Sequence, residues 1–263
     1  MFGEGMALDL AYTFSGFVVG AIVGLTGVGG GSLMTPLLVL LFGVAPATAV
    51  GTDLLYAAIT KSGGVIVHAR KQHVQWGVVG RLAAGSIPGA LITIGVLSTL
   101  SIDHAAFSKI VTESLGVALI VTALAILGKN RLQRWGRLSA GAWLERWAGP
   151  LTVAVGLVLG VLVTLSSVGA GAMGVAALYF LYPRLPTKQI VGSDIAHAVP
   201  LTLVAGLGHA HLGTVDWALL GSLLLGSLPG IWLGSMLSAR MPERVLRSGL
   251  ASLLIVIGGK LVL

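Results

Sequence analysis

The sequence predicts an all-α, polytopic membrane protein with about ten hydrophobic segments in two inverted-topology repeats of five segments each. The composition, the spacing of the apolar segments and an internal repeat carry this prediction. Hydrophobic residues make up 56% of the 263 residues and charged residues only 10%, and the mean hydropathy is +0.97. Soluble domains carry about 25% charged residues, so this chain has too few charged residues to cover a water-exposed surface.

The apolar segments are long enough to cross a bilayer several times, since one crossing needs about 20 apolar residues. They lie at roughly 8–27, 31–43, 47–69, 76–98, 103–127, 149–167, 171–182, 187–208, 214–237 and 245–262. The second and seventh have only about 12 or 13 residues. At 1.5 Å per residue they reach about 20 Å, less than the ~30 Å hydrocarbon core. It stays open whether these two cross fully or are re-entrant.

One long polar stretch separates the two halves. It divides the chain into a first transmembrane repeat at 1–128, a basic cytoplasmic connector at 129–148 and a second transmembrane repeat at 149–263. Within the connector, basic residues alternate with Trp135, Trp143 and Trp147, which is typical of a partly helical segment on a membrane surface. The net charge of +7 is explained by this connector and by short loops, so we expect no nucleic-acid partner.

The two halves share a register of residue types that hydrophobicity alone does not produce. VGGGS at 28–32 matches VGAGA at 168–172, an offset of 140 residues. After one inserted residue the offset is 141, which aligns the triplet GTD at 51–53 with GSD at 192–194 and GSIPG at 85–89 with GSLPG at 226–230. Shared glycine, aspartate and proline positions indicate a duplication.

The charges of the loops predict the orientation. If the connector is cytoplasmic and each segment crosses once, the basic loop residues all fall on the cytoplasmic side: Arg70, Lys71, Arg184, Lys188, Arg240, Arg244 and Arg247. This assignment obeys the positive-inside rule and places both termini outside. Because five segments is an odd number, the second repeat must be inverted relative to the first, as in many secondary transporters.

The two glycine runs, Gly27–Gly31 and Gly169–Gly171, each precede a short segment. A short helix that starts inside a membrane protein directs free N–H groups and a partial positive charge inward, which suits an anion. Close helix packing by small residues is the alternative. We predict a substrate-binding set that combines these backbone groups with nearby hydroxyls: Gly29, Gly30, Gly31, Ser32, Thr52, Gly169, Ala170, Gly171 and Ser193.

Several charged residues lie inside apolar segments, where a charge is costly and marks a functional position. Three of them are candidates for coupling or gating: Asp53, Lys61 and Asp194. Each aspartate would have to be protonated, neutralised by a cation or used as a helix cap beside an anion. Lys61 is a candidate partner of Asp53 or of substrate, and the alternative is that it snorkels to the cytoplasm.

Chemistry of other kinds is not expected. The chain has no cysteine, and its histidines lack the acidic partners of a metal site, so we predict no metal and no cofactor. We found no hydrolase pattern of serine and histidine or of paired aspartates, and no histidine–glutamate metal motif. The chain is therefore not expected to be an enzyme.

The motif GVGGGSLMTPLLVLLFGVAPATAVGTD and its echo SSVGAGAMGVAALYFLYPRLPTKQIVGSD resemble the sulfite exporter TauE/SafE family of integral membrane permeases. The resemblance implies a carrier in the bacterial or archaeal plasma (inner) membrane that exports sulfite or a related sulfonate by alternating access. The echo departs from the first motif at Ala170 and Ala172, which stand where the first has Gly30 and Ser32.

The expected partners are a small oxyanion substrate and the lipid bilayer. Glycine-rich helix faces would permit a homodimer without requiring one. The alternative function is an uptake carrier or channel for another small solute, such as thiosulfate, a carboxylate or a metal cation.

Overall fold

The structure is a computed structural model that describes residues 2–26, 31–99, 104–138, 142–237 and 243–262. Over these residues the chain is helical apart from short connections. The helices are α1 (Phe2–Thr26), α2 (Gly31–Phe42), α3 (Pro46–Arg70), α4 (Trp76–Thr99), α5 (His104–Leu138), α6 (Ala142–Ser166), α7 (Ala172–Leu181), α8 (Thr187–His211), α9 (Trp217–Leu237) and α10 (Glu243–Val262). Each of the ten predicted segments coincides with one helix, which confirms the all-α class.

Five helices of the described chain are long and apolar enough to cross a membrane: Trp76–Thr99, Ser108–Gly128, Arg146–Ser166, Thr187–His211 and Trp217–Gly234. Three shorter apolar helical stretches accompany them, at Leu10–Gly24, Leu33–Phe42 and Ala172–Leu181. The last two are the predicted short segments, and both follow a glycine run.

The connector is more helical than a surface loop. α5 continues through Leu138, and α6 begins at Ala142, so residues 129–138 are a continuation of a membrane helix. Gly136 lies directly against the backbone of Phe180 at the end of α7. The missing side chain at Gly136 allows this close approach.

The middle of the bundle is formed by α3 and α8, which pack against each other. Every residue from 49 to 58 is buried, although this stretch contains Thr52 and Asp53. The outer helices instead expose large apolar side chains, including Leu91 and Ile92 on α4, Leu124 on α5 and Leu225 on α9. An apolar exterior around a core that contains polar groups is what a lipid environment favours.

Two helix pairs meet through glycines at close range. α1 packs along α9 and α4 packs along α6. In each pair a glycine faces the backbone of a residue on the partner: Gly16 with Leu223, Gly20 with Ser227, Gly156 with Leu82 and Gly160 with Ser86. Gly16 and Gly156 are 140 residues apart, and Leu82 and Leu223 are 141 apart, so the contacts recur in the register of the sequence repeat.

The turns after α3 and α8 recur in the same register. The N–H of His73 donates to the carbonyl of His68 at 2.9 Å, and the N–H of Thr214 donates to the carbonyl of His209 at 3.0 Å. In the first turn Gln72 has φ 54°, and in the second turn Gly213 has φ 73°. The same left-handed turn is therefore built twice, once with a residue that rarely adopts this conformation.

Candidate functional site

The second glycine run is an unwound stretch between α6 and α7. Gly169 has φ 114° and Gly171 has φ 135°, conformations that glycine adopts far more readily than other residues. Gly171 is the N-cap of α7 and gives it no side-chain capping bond. α7 therefore starts inside the protein without a capping side chain among the described residues, while the N–H of Gly174 donates to the carbonyl oxygen of Gly169 at 3.3 Å.

Ser167 precedes this break in an unusual conformation. Its φ is 56°, a left-handed value that costs a serine free energy and is concentrated at functional positions. Ser167 is only 3% exposed, and its hydroxyl lies toward the carboxyl group of Asp53. A strained residue whose buried hydroxyl faces a buried carboxyl belongs to the same polar region as Asp53.

Lys61 of α3 reaches the break from the other half of the chain. Its Nζ donates a hydrogen bond of 2.9 Å to the carbonyl oxygen of Ala170, and the residue is only 8% exposed. The alternative that Lys61 snorkels to the cytoplasm is wrong, because the ammonium is held at a buried carbonyl. The structure thus joins a cation to the unwound backbone.

Both aspartates lie near this lysine. Asp53 and Asp194 lie inside α3 and α8, seven residues beyond Pro46 and Thr187, where these helices begin, so neither caps its own helix. Both are fully buried, and Lys61 attracts both carboxylates. One buried cation therefore faces two buried acids.

The two aspartates differ in their partners. The Thr35 hydroxyl on α2 donates to Oδ2 of Asp53 at 2.5 Å, whereas neither oxygen of Asp194 has a hydrogen-bond partner among the described residues. Gly174 of α7 lies against Oδ1 of Asp194, and a Cβ there would collide with it. Val175 occupies the position of Thr35 in the second repeat, at the offset of 140. Asp194 therefore receives fewer hydrogen bonds from the described residues than Asp53.

A histidine and a serine complete the surroundings. Oγ of Ser86 on α4 and Nε2 of His197 on α8 are 2.8 Å apart, and both side chains are buried. Nδ1 of His197 has no hydrogen-bond partner among the described residues, and His197 lies within the electrostatic reach of Lys61. We call these residues together the central polar cluster: Thr35, Asp53, Lys61, Ser86, Ser167, Asp194 and His197.

The hydroxyls of Thr52 and Ser193, which were predicted to bind substrate, contact the backbone near two helix starts. Oγ1 of Thr52 accepts a hydrogen bond of 3.0 Å from the N–H of Asp216, and Oγ of Ser193 accepts one of 2.8 Å from the N–H of Gln75. Asp216 and Gln75 immediately precede α9 and α4. Both hydroxyls therefore hold the start of a helix, a matched pair that the shared offset of 141 could have revealed.

The remaining predicted residues belong to the first glycine run, apart from Ser32, which follows it. Gly29 and Gly30 lie outside the described residues, as does the side chain of Ser32, while Gly31 begins α2. Four members of the central polar cluster are absent from the predicted site residues: Thr35, Ser86, Ser167 and His197. The signal for Thr35 was a hydroxyl one turn into the short segment, and the signal for Ser86 was its repeat partner Ser227.

Metal ligands do not gather in this region. Among the residues whose placement is described, no group of three or more histidine, aspartate or glutamate side chains could hold a metal ion. Both ring nitrogens of His209 are hydrogen-bonded. Its Nε2 lies 2.9 Å from the Thr164 carbonyl oxygen, and its Nδ1 lies 2.9 Å from Oγ1 of Thr214.

Comparison with known proteins identifies the class. The family model described as "Sulfite exporter TauE/SafE" matches residues 12–261, which is nearly the whole chain. The chain belongs to the TauE/SafE family. This is a family of membrane transporters rather than enzymes, so the chain is a multi-pass membrane transporter.

Relatives in the TauE/SafE family occur in bacteria and archaea. The chain is 41% identical over 259 residues to "Probable membrane transporter protein YjnA" of Bacillus subtilis, covering 97% of this chain and 100% of that protein. It is 30% identical over 238 residues to YdhB of the same organism, covering 89% and 92%. It is 24% identical over 265 residues to MJ0441 of Methanocaldococcus jannaschii, covering 92% and 91%. No solved structure matches the chain.

Proposed function

We propose that this TauE/SafE transporter exports small sulfur-containing anions, sulfite or a related sulfonate, across the plasma (inner) membrane by alternating access. The description of the family model, which matches residues 12–261, supports the substrate class. The observation that carries the site is the contact of 2.9 Å between Nζ of Lys61 and the carbonyl oxygen of Ala170. It joins the buried cation to the broken helix end.

The anion binds where Lys61 meets the unwound backbone. Residues 29–32 and 169–172 supply N–H groups at the starts of α2 and α7, and Ser167 supplies a hydroxyl. A sulfite or sulfonate group has three oxygens, each of which accepts hydrogen bonds. Charge-assisted hydrogen bonds are roughly twice as strong as neutral ones, so Lys61 contributes most to holding the anion.

The charges of the cluster bear on the coupling mechanism. Lys61 can neutralise one of the two carboxylates, Asp53 or Asp194, so an additional anion needs a further positive charge or a protonated acid. Asp194 is the better candidate to take up a proton, because the Thr35 hydroxyl already donates to Asp53. Coupling is not needed to supply energy: an exported anion gains about 2.3 kcal/mol per charge per 100 mV of negative-inside potential.

Two inverted repeats provide the alternating access. The paired contacts of α1 with α9 and of α4 with α6, which recur at offsets of 140 and 141, support a pseudo-two-fold relation between the halves. The basic loop residues support placing the connector in the cytoplasm and both termini outside. Rocking of one repeat against the other would then open the central polar cluster to each side in turn.

A second candidate is an uptake carrier or channel for another solute, with a metal cation as the sharpest rival. The presence of two buried carboxylates beside one lysine favours it, because the ionised cluster has a net negative charge. Thiosulfate or a carboxylate would use the same anion site as sulfite.

Flux measurements separate these functions. Purified protein in liposomes is loaded with sulfite, a sulfonate, thiosulfate, a carboxylate or a divalent cation, and the release of each is followed. We expect the release of sulfite or the sulfonate to exceed that from protein-free liposomes. Cation flux without sulfite flux would contradict the proposal.

A further inference from the structure

A second polar feature lies apart from the central polar cluster, on the side of the bundle that carries the connector. A cavity of about 720 Å³ opens between the first turns of α4 and α6 and the loop that joins α7 to α8. Three of its lining residues are arginines, one from each of these elements: Arg81, Arg146 and Arg184. No aspartate or glutamate is among the described residues that line it. The described side chains that line the cavity therefore include three positive charges and no negative one.

Arg81 is held in place by its neighbours. Its Nη1 donates to the Tyr182 hydroxyl at 3.3 Å, and that hydroxyl is 2.8 Å from Oγ1 of Thr152. The arginine side chain also lies over Gly149 on α6, where no side chain displaces it. An arginine held in this way loses little conformational freedom when it binds a ligand.

The rest of the wall is apolar. Leu144, Pro150, Val153 and Leu181 line the cavity beside the arginines. A volume of about 720 Å³ falls in the range of roughly 300–1,000 Å³ that holds drug-sized ligands, far more than a bare oxyanion needs. The cavity therefore suits a ligand with an anionic head and an apolar body.

We propose that this cavity binds a phosphoryl group, with an anionic phospholipid as the molecule that presents it. Guanidinium groups pair with phosphate oxygens in a two-pronged geometry that lysine does not provide. Basic pockets between membrane helices on the cytoplasmic side are suited to anionic head groups, and the apolar wall accommodates the start of the acyl chains. Free phosphate offers the same chemistry from solution, and the test separates the two sources.

The test measures ligand binding to the purified, full-length protein in detergent. Phosphatidylglycerol and phosphatidylcholine are titrated separately, and bound lipid is counted by native mass spectrometry. In a separate series, inorganic phosphate and then sulfite are added while thermal unfolding is followed. The variants are Arg81→Gln and Arg146→Gln. Arg134→Gln is the matched control, because Arg134 is exposed on α5 and does not line the cavity.

We expect phosphatidylglycerol to bind more tightly than phosphatidylcholine. Each cavity variant should weaken the binding of phosphatidylglycerol about fivefold, since a basic residue near anionic lipid contributes about 1 kcal/mol. Arg134→Gln should bind like the wild type. Stabilisation by inorganic phosphate that is lost in the same variants, without a lipid preference, would assign the phosphoryl group to a soluble source.

Three results would overturn the proposal. One is equal binding of both lipids with no effect of phosphate, and another is an equal loss in Arg134→Gln. The third is stabilisation by sulfite but not by phosphate, which would assign the cavity to the transported anion. If Arg81→Gln does not fold, Arg146→Gln decides the matter, because the Arg146 side chain is exposed and its loss removes no hydrogen bond described here.

Discussion

Nζ of Lys61 donates a hydrogen bond of 2.9 Å to the carbonyl oxygen of Ala170, a residue 109 positions later in the chain. The contact joins the first half of the TauE/SafE transporter to the helix break of the second. Because a buried ammonium without a partner is costly, this hydrogen bond stabilises Lys61 in the interior. In the proposed mechanism, a transported anion would replace the carbonyl as its partner.

The contact between Gly174 and Asp194 makes the position of that carboxylate testable. A Cβ at Gly174 would collide with Oδ1 of Asp194, so Gly174→Ala should displace the carboxylate and lower flux about tenfold. Overpacking of this kind costs about 1–3 kcal/mol, so the protein should still fold and insert. Gly221→Ala is the control, because nothing lies within 4 Å of a Cβ there. Wild-type flux in Gly174→Ala would mean that transport does not depend on where Asp194 lies.

The repeated glycine contacts predict that equivalent substitutions have equivalent effects. Gly20→Ala would push a methyl group into the backbone of Ser227, and Gly160→Ala would do the same at Ser86. Each should destabilise the protein by about 1–3 kcal/mol, as measured by thermal unfolding of the purified protein. Gly95→Ala, at a helix position with nothing within 4 Å, should be neutral or slightly stabilising. A loss at only one of the two packed glycines would weaken the argument for pseudo-symmetry.

The sequence was sufficient to predict the helices, because hydrophobic runs and glycine breaks are local features. The charged residues Asp53, Lys61 and Asp194 also stood out, since charges are rare inside apolar segments. The attraction between Lys61 and Asp53 was anticipated, but the partners of these residues on other helices could not be predicted. The hydrogen bond from Thr35 to Asp53 spans two helices, and the left-handed backbone of Ser167 depends on the surrounding fold. Thr52 and Ser193 were predicted to bind substrate because they carry hydroxyl groups. In the structure each hydroxyl accepts a hydrogen bond from the residue that precedes a helix.

The proposed inversion of the repeats predicts opposite membrane sides for equivalent residues. Arg70 and His211 are 141 residues apart, close their respective helices α3 and α8, and are both exposed. The chain has no cysteine, so Arg70→Cys and His211→Cys each introduce a single label site. A membrane-impermeant maleimide should label His211→Cys in intact cells and Arg70→Cys only after permeabilisation. Labelling of both from the same side would contradict inverted topology.

The unpaired carboxylate of Asp194 predicts how transport depends on pH. If Asp194 must take up a proton before an anion binds beside Asp53 and Lys61, flux falls as the pH rises, because the protonated fraction falls. Asp194→Asn should remove this dependence. The substrate should be a sulfonate whose charge is constant over the pH range. If Asp53→Asn and Asp194→Asn both keep the wild-type pH profile, proton coupling through these side chains is wrong.

The most direct test of the central claim is sulfite efflux from liposomes that contain the wild type or Lys61→Met. We expect the wild type to release sulfite faster than protein-free liposomes and Lys61→Met to lose at least about tenfold, since hydrogen bonds to charged groups contribute about 1.5–3 kcal/mol. The double variant Lys61→Met/Asp194→Asn removes the buried lysine together with one of the two buried acids. It therefore tests whether a loss of efflux in Lys61→Met comes from misfolding around an uncompensated carboxylate. Lys109→Met is the matched control, because Lys109 is 76% exposed and only pairs with Glu113 at 3.8 Å. Full sulfite efflux from Lys61→Met would contradict the account.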